Sequence, residues 1–279
     1  MNRLFFLIAL MCCLNVSAQK VKTEKITKET ELKPGSCTIT VDFPSKTSLP
    51  FYEALRDALV NWVDASYSMS IDQDNPPSLN PQMKVINKAD MEKYMEVYSQ
   101  NMATYLHSSI TDDEFFDQND SEIGGSVSID IIKTNDYPKY VCYESLMYDF
   151  PYGAAHGVGL FDRMVFSKED RCAIEVLDSS KAKAFEEYVV SNIRDFTISY
   201  CVIDKLSKYD EEEREDVINH IQNCDDLLDL SVQWIDKKYL HLQFQVYSLV
   251  AFALGSPVIS IPLKKAKPYL SQQALKLIR

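Results

Sequence analysis

The residues able to do chemistry are few and unevenly placed. The chain has 279 residues, four histidines (His107, His156, His220 and His241) and seven glycines. Three of those glycines fall within Tyr152–Gly159 (YGAAHGVG), with His156 near the centre. Glycine is used where the backbone must take a positive φ or approach another group closely, so this segment reads as a tight, shaped connection between strands. An imidazole there can donate or accept a hydrogen bond, or titrate near neutral pH. As an acid–base group His156 would need carboxylate partners, and Asp149 and Asp162 are the nearest in sequence. With no carboxylate, Ser or Cys in the eight residues themselves, the balance favours an imidazole that ties down the loop's own carbonyls. His220 follows a charge run, and His241 alternates with Gln243 and Gln245, so both read as facing water.

Other catalytic and ligand patterns are missing. There is no HExxH, no GxSxG elbow, no phosphate-binding GxxxxGK and no GxGxxG, so no cofactor and no catalytic set is indicated. The acidic stretch Asp112–Glu122 invites a calcium reading, but a loop starting at Asp117 has Glu122 at its sixth position, where the sharp turn needs Gly. No metal site is indicated. Removal of residues 1–18 would leave Cys37, Cys142, Cys172, Cys201 and Cys224, an odd number without any CxxC, which favours buried thiols over a disulfide framework.

The charge balance narrows the partners. With 29 basic and 41 acidic residues the formal net charge is −12. That argues against nucleic acid and anionic lipid and leaves basic proteins as partners. Arg3 precedes an apolar run from Leu4 to Leu14, too short to span a bilayer, and Val16-Ser17-Ala18 offers small residues for signal-peptide cleavage after Ala18. The reading is therefore an exported chain, periplasmic or secreted, starting at Gln19, with no transmembrane segment and a net charge of −13 once Arg3 is removed. Acylation at Cys12 or Cys13, giving a lipid-anchored form, is the alternative.

The elements that must position these residues follow from periodicity. Residues 19–35 are charged and read as a flexible leader or an edge strand. Ile39, Val41 and Phe43 alternate with Thr38, Thr40 and Asp42, a half-buried strand ended by Pro44. Phe51, Leu55, Leu59, Trp62 and Val63 mark a helix opened by Pro50. Met91, Tyr94, Met95, Tyr98, Met102, Tyr105 and Leu106 mark a second, capped by Asn87. Strand-like runs follow near 127–132, 139–147, 160–166 and 172–176, then helices at 181–196 and from Asp210. Paired strands near 230–235 and 240–247 flank the Asp236-Lys237-Lys238 turn. A strand near 258–261 and a helix near 269–278 close the chain. Without a strand–helix–strand rhythm this predicts an α+β fold, an antiparallel sheet with helices packed on it. The expected organisation is a signal peptide at 1–18, a leader at 19–35, an N-terminal α+β region at 36–135 and a second domain at 136–279.

Two stretches carry a family resemblance. Tyr143-Glu144-Ser145 followed by Tyr152-Gly153-Ala154-Ala155-His156-Gly157 resembles the Tyr … Gly-Gly-Ala-His signature of an extracytoplasmic domain of unknown function. That domain forms the outer part of RsiV-like anti-sigma factors and accompanies PdaC-like cell-wall deacetylases. Phe244–Gly255, with Tyr247, and Val258–Pro262 look like the same family's closing segments. Ala154 stands where the family has a second Gly, and Ser248 follows Tyr247 where an acidic residue is usual. The resemblance implies an exported, non-catalytic binding or sensing domain of the bacterial cell envelope. It implies binding candidates at Tyr152, Gly153, His156, Gly157 and Tyr247, and a lysozyme-type basic protein or a cell-wall component as partner. Asp112, Asp113 and Asp117 would steer a basic partner. The alternatives are a glycan-active enzyme or its accessory, and an envelope structural protein.

Overall fold

A computed structural model describes residues 20–45, 50–68, 79–112, 124–154, 156–202, 205–245, 248 and 255–279. The chain forms two compact units, one of 1–162 with 168–172, the other of 163–167 with 173–279. The turn at 136–140, where the sequence analysis set a domain division, joins two paired strands of one sheet.

The first unit is built on a six-stranded sheet in the order β1-β2-β3-β4-β5-β6. Its strands are β1 (Thr23–Leu32), β2 (Gly35–Pro44), β3 (Gly125–Asp136), β4 (Tyr140–Phe150), β5 (Val158–Ser167) and the two-residue β6 (Cys172–Ala173). The fold class is α+β, as expected. The β2/β3 pair is parallel, because the chain between them crosses over through two helices, α1 (Pro50–Ser68) and α2 (Lys88–Thr111). The charged segment before β2 is no free leader. It is the edge strand β1, paired with β2 along ten residues. Ile26 is its one buried residue, and the lysines and glutamates that hide its strand character are what an edge needs to resist pairing with another chain.

Both helices lie on one face of this sheet. Cys37, Ile39, Val41 and Phe43 of β2 and Val127, Ile129 and Ile131 of β3 are buried there, facing Phe51, Leu55, Leu59 and Val63 of α1 and Met91, Tyr94, Met95, Tyr98 and Met102 of α2, all buried as the spacing predicts. Thr30 of β1 reaches Ser99 of α2 at 2.8 Å. Asn87 caps α2 in a reciprocal capping box with Asp90, satisfying two free N–H groups. Arg56 and Lys168 are buried too; Lys168 pairs with Asp136 at 2.7 Å.

The second unit carries a five-stranded sheet in the order β8-β7-β11-β10-β9. These are β7 (Thr197–Val202), β8 (Lys205–Lys208), β9 (Ser231–Ile235), β10 (Tyr239–Phe244) and β11 (Ser256–Pro262), paired antiparallel throughout. Helices α3 (Ala182–Asn192), α4 (Glu211–Gln222), the short α5 (Leu263–Ala266) and α6 (Gln272–Leu277) complete it. Asp210 opens α4 with a second capping box, to Glu213. Phe185, Val189, Val217, Ile218 and Ile221 of the helices and Ile235, Leu240, Leu242, Phe244, Ile259 and Ile261 of the strands are its buried core.

The five cysteines among the described residues are free thiols, with Cys37, Cys142 and Cys201 buried. Burial pushes the Cys37 thiol up to about 12, which leaves it without nucleophilic thiolate at neutral pH.

Candidate functional site

The glycine-rich segment connects β4 to β5, and its geometry is set by one aromatic ring. Tyr148 of β4 lies over Gly157. A Cβ at position 157 would fall 2.5 Å from the ring's Cζ and 2.7 Å from the Asp149 carbonyl oxygen, so only glycine fits. The Gly157 N–H donates to the Tyr148 hydroxyl at 3.2 Å. Gly153 has φ +71° with nothing near its Cβ position; it serves the turn itself, where Ala154 N–H donates to the Pro151 carbonyl at 3.1 Å.

His156 is exposed, and its Nδ1 donates to the Gly157 carbonyl at 3.3 Å, the loop-tying role weighed from sequence. Its suggested carboxylates point elsewhere. Asp149 is paired with Val127 on the helix-covered face, and burial raises its carboxyl above the usual range. Asp162 accepts from the Trp62 indole at 2.6 Å. Tyr152 is half-buried. Asp112 is exposed at the C-terminal cap of α2, its N–H spent on Ser108 and Ile110 carbonyls. Asp113, Asp117 and Tyr247 lie outside the described residues.

Sequence reasoning passed over Tyr148, which is 38% exposed. The signal was present: an aromatic on a strand two residues beyond Leu146, followed within nine residues by glycines. The register places it in a row of side chains on the sheet face opposite α1 and α2. Glu29 pairs with Thr38, Thr38 with Ser128, and Ser128 with Tyr148. Cross-strand partners share a face, so these four residues cross β1 to β4, about 14 Å at the usual strand spacing. The adjoining rows are Glu31, Ser36, Ser126 and Phe150 on one side, and Thr27, Thr40, Asp130 and Leu146 on the other. Among the described residues no helix packs on this face. Thr27 and Thr40 bond to each other at 3.3 Å, but the side chains of Glu29, Ser36, Thr38, Ser126, Ser128 and Asp130 make no hydrogen bond among the described residues. Next to the row of Glu31, a polar cavity of 270 Å³ is lined by Glu31, Lys33, Ser36, Ser126 and backbone of the neighbouring glycines.

The second unit holds a contrasting constellation, and it corrects the reading of His241. That residue is 4% exposed and Gln243 is fully buried. Alternation does put both on one face, with Trp234, Ser256 and Ser260, but the face is closed. His241 Nε2–H donates to Asp236 at 3.2 Å, so the Nδ1 of a neutral ring accepts from the Ser260 hydroxyl at 2.9 Å. Trp234 stacks on the imidazole at 4.6 Å, and the Arg163 guanidinium lies 4.5 Å from the Trp234 ring centre. Gln243 accepts from Arg163 and donates to Ser256, which donates to the Phe244 carbonyl. Burial works to raise the Asp236 carboxyl, but the His241 hydrogen bond and the N–H groups of Lys238 and Tyr239 outweigh it and hold it below the usual range. Ser–His–Asp is the order of a base-activated nucleophile. Here Ser260 is 6% exposed and carries the ring's hydrogen bond in a packed wall, so the chain of bonds satisfies buried polar groups instead.

Neither a protein-family model nor a curated protein matches the sequence. The structure is similar to the crystal structure of a member of the DUF3298 family from Bacteroides fragilis, with a TM-score of 0.59 at 14% identity over 94% of this chain and 98% of that one. A DUF3298 family protein from Pseudomonas aeruginosa is similar with a TM-score of 0.49 at 14% identity, over 92% of this chain and 98% of that one. The first likeness shows a shared fold along nearly the whole chain.

Proposed function

We propose that this chain is an exported, non-catalytic binding domain of the bacterial cell envelope, and that its contact surface is the open polar face of the first sheet. One observation carries the reading: the side chains of Glu29, Ser36, Thr38, Ser126, Ser128 and Asp130 make no hydrogen bond within the described residues, beside an exposed and braced Tyr148. The closed Asp236–His241–Ser260 chain supports a non-catalytic role, since its serine is only 6% exposed and its hydroxyl is spent on the ring. The signal-like N-terminus and the resemblance to RsiV-like and PdaC-like domains support the envelope location.

The partner is cationic on this reading. The net charge of −12 speeds encounter with a positive partner more than it deepens final affinity, and a lysozyme-type protein is one such partner. The test is a titration of the full chain with lysozyme at low and moderate salt, beside an unrelated protein of similar positive charge. Saturable binding of lysozyme that outlasts moderate salt and weakens in Tyr148→Ala supports the reading. Equal binding of both proteins, fading together with salt, would falsify lysozyme as a specific partner.

A further inference from the structure

The open face has a chemistry narrower than "cationic partner". Four of its hydroxyls, on Ser36, Thr38, Ser126 and Ser128, stand on the paired strands β2 and β3 in adjacent rows. Each can donate one hydrogen bond and accept others, the same capacity as a sugar hydroxyl. Around them Glu29, Glu31 and Asp130 supply acceptors only. Lys25, opposite Asp42 in a further row, and Lys33, 3.8 Å from Glu31, are the nearby cations, each beside a carboxylate. Tyr148 supplies one apolar surface. Its ring is fixed before any ligand arrives, because Gly157 lies beneath it and holds its hydroxyl, and a ring already fixed loses little entropy on binding.

We propose that this face takes a glycan chain bearing free amino groups, a polymer of de-N-acetylated hexosamine, laid across Glu29–Thr38–Ser128–Tyr148. The inference rests on the binding reading above and names its ligand class. Sugar hydroxyls exchange bonds with the serine and threonine row. Ligand ammonium groups meet Glu29, Glu31 and Asp130, and one sugar packs its C–H face or its ammonium against the Tyr148 ring. The 270 Å³ cavity beside Glu31 and Ser126 is smaller than a drug-sized site of about 300–1,000 Å³, a size suited to one ring at the end of a chain. A protein partner fits less well. Protein interfaces depend on large side chains seated in dry pockets, whereas this face is made of short hydroxylated side chains on pleated strands. An anionic or fully acetylated glycan would leave Glu29 and Asp130 without a counter-charge.

The test is calorimetric titration of the full chain with a glucosamine tetramer and, separately, with its fully N-acetylated counterpart, at low salt. The glucosamine tetramer should bind, with the acetylated one at least about tenfold weaker for want of the charge pairing. Tyr148→Ala should weaken the glucosamine tetramer about tenfold, and Thr38→Ala with Ser128→Ala should weaken it severalfold with the thermal midpoint unchanged in that pair. Equal binding of the two tetramers overturns the inference. So does the absence of glycan binding while a basic protein binds and is weakened by Tyr148→Ala, and in that case the binding-domain reading stands. If neither glycan nor basic protein binds, both fall together.

Discussion

Each unit has a sheet with one apolar and one polar face, and the two polar faces are put to opposite uses. In the first unit Ser36 and Thr38 of β2 and Ser126 and Ser128 of β3 stand in rows, half-buried and without side-chain hydrogen bonds among the described residues. In the second, His241, Gln243, Ser256 and Ser260 are buried and bonded into chains that end on Asp236 and on the Phe244 carbonyl. The same alternation of apolar and polar residues thus produced a surface in one place and an interior in the other. Strand periodicity says which residues share a face, but not whether that face meets water.

That contrast can be broken most forcefully from the core. Leu55, with no exposed surface, sits on the covered side of the first sheet, and Leu55→Ala should cost about 2–5 kcal/mol by urea denaturation. A loss below about 1 kcal/mol would mean that the α1 face is not core. Next comes the closed face. His241→Ala would leave the buried Ser260 hydroxyl without its ring partner, at about 1–3 kcal/mol, while Asp236 keeps the N–H groups of Lys238 and Tyr239. If His241→Ala proves as mild as a surface change, the second polar face is open after all.

Gly157→Ala tests the brace between the loop and the open face. With Tyr148 and the Asp149 carbonyl in the way, it should cost about 1–3 kcal/mol and change Tyr fluorescence. Gly153→Ala meets no atom and should cost only the positive-φ penalty, about 1–2 kcal/mol. The smallest stability effects belong to Thr38→Ala and Ser128→Ala, expected within about 0.5 kcal/mol of the parent. A larger loss would show that these hydroxyls serve the fold.

Acid titration sharpens the comparison by sign. Asp236, held below its usual 3.8, stabilises the native state above pH 3.8, and that contribution is lost as pH falls through the depressed value. Asp149, raised above 3.8 by burial, works the other way: its ionisation costs stability above the raised value, and the cost is relieved as pH falls through it. Asp236→Asn should therefore destabilise and Asp149→Asn stabilise at neutral pH. Both differences should shrink toward zero in acid below 3.8, followed by thermal midpoint against pH.

Much of this architecture was legible in the sequence where local pattern and tertiary role agree. The α1 and α2 stripes, the Asn87 cap, the β9–β10 hairpin and the α+β class all followed from spacing. Failures came where a neighbour decides. For β1 the choice between a leader and an edge strand stayed open, because an edge strand covered on one side needs few apolar residues. β7 and β8 went unmarked because Thr197–Val202 follows the α3 helix and its 3₁₀ extension with no break of Gly or Pro. His241 was misplaced because the wall around it is built from Trp234 and Arg163, distant in sequence. The glycine-rich segment was singled out correctly, yet its reason, the Tyr148 ring, lies on the preceding strand and emerges only from the register.

The unspent side chains of the open face have an evolutionary consequence. Because they make no hydrogen bond within the described residues, each single replacement should change stability by no more than about 0.5 kcal/mol, with coupling confined to the direct cross-strand partners Glu29–Thr38, Thr38–Ser128 and Ser36–Ser126. Residues at 29, 36, 38, 126, 128 and 130 can drift or be randomised while the sheet beneath them holds its register. A lineage could change what it recognises without first acquiring a stabilising mutation, and a library built on these six positions would sample new specificities on one unaltered scaffold.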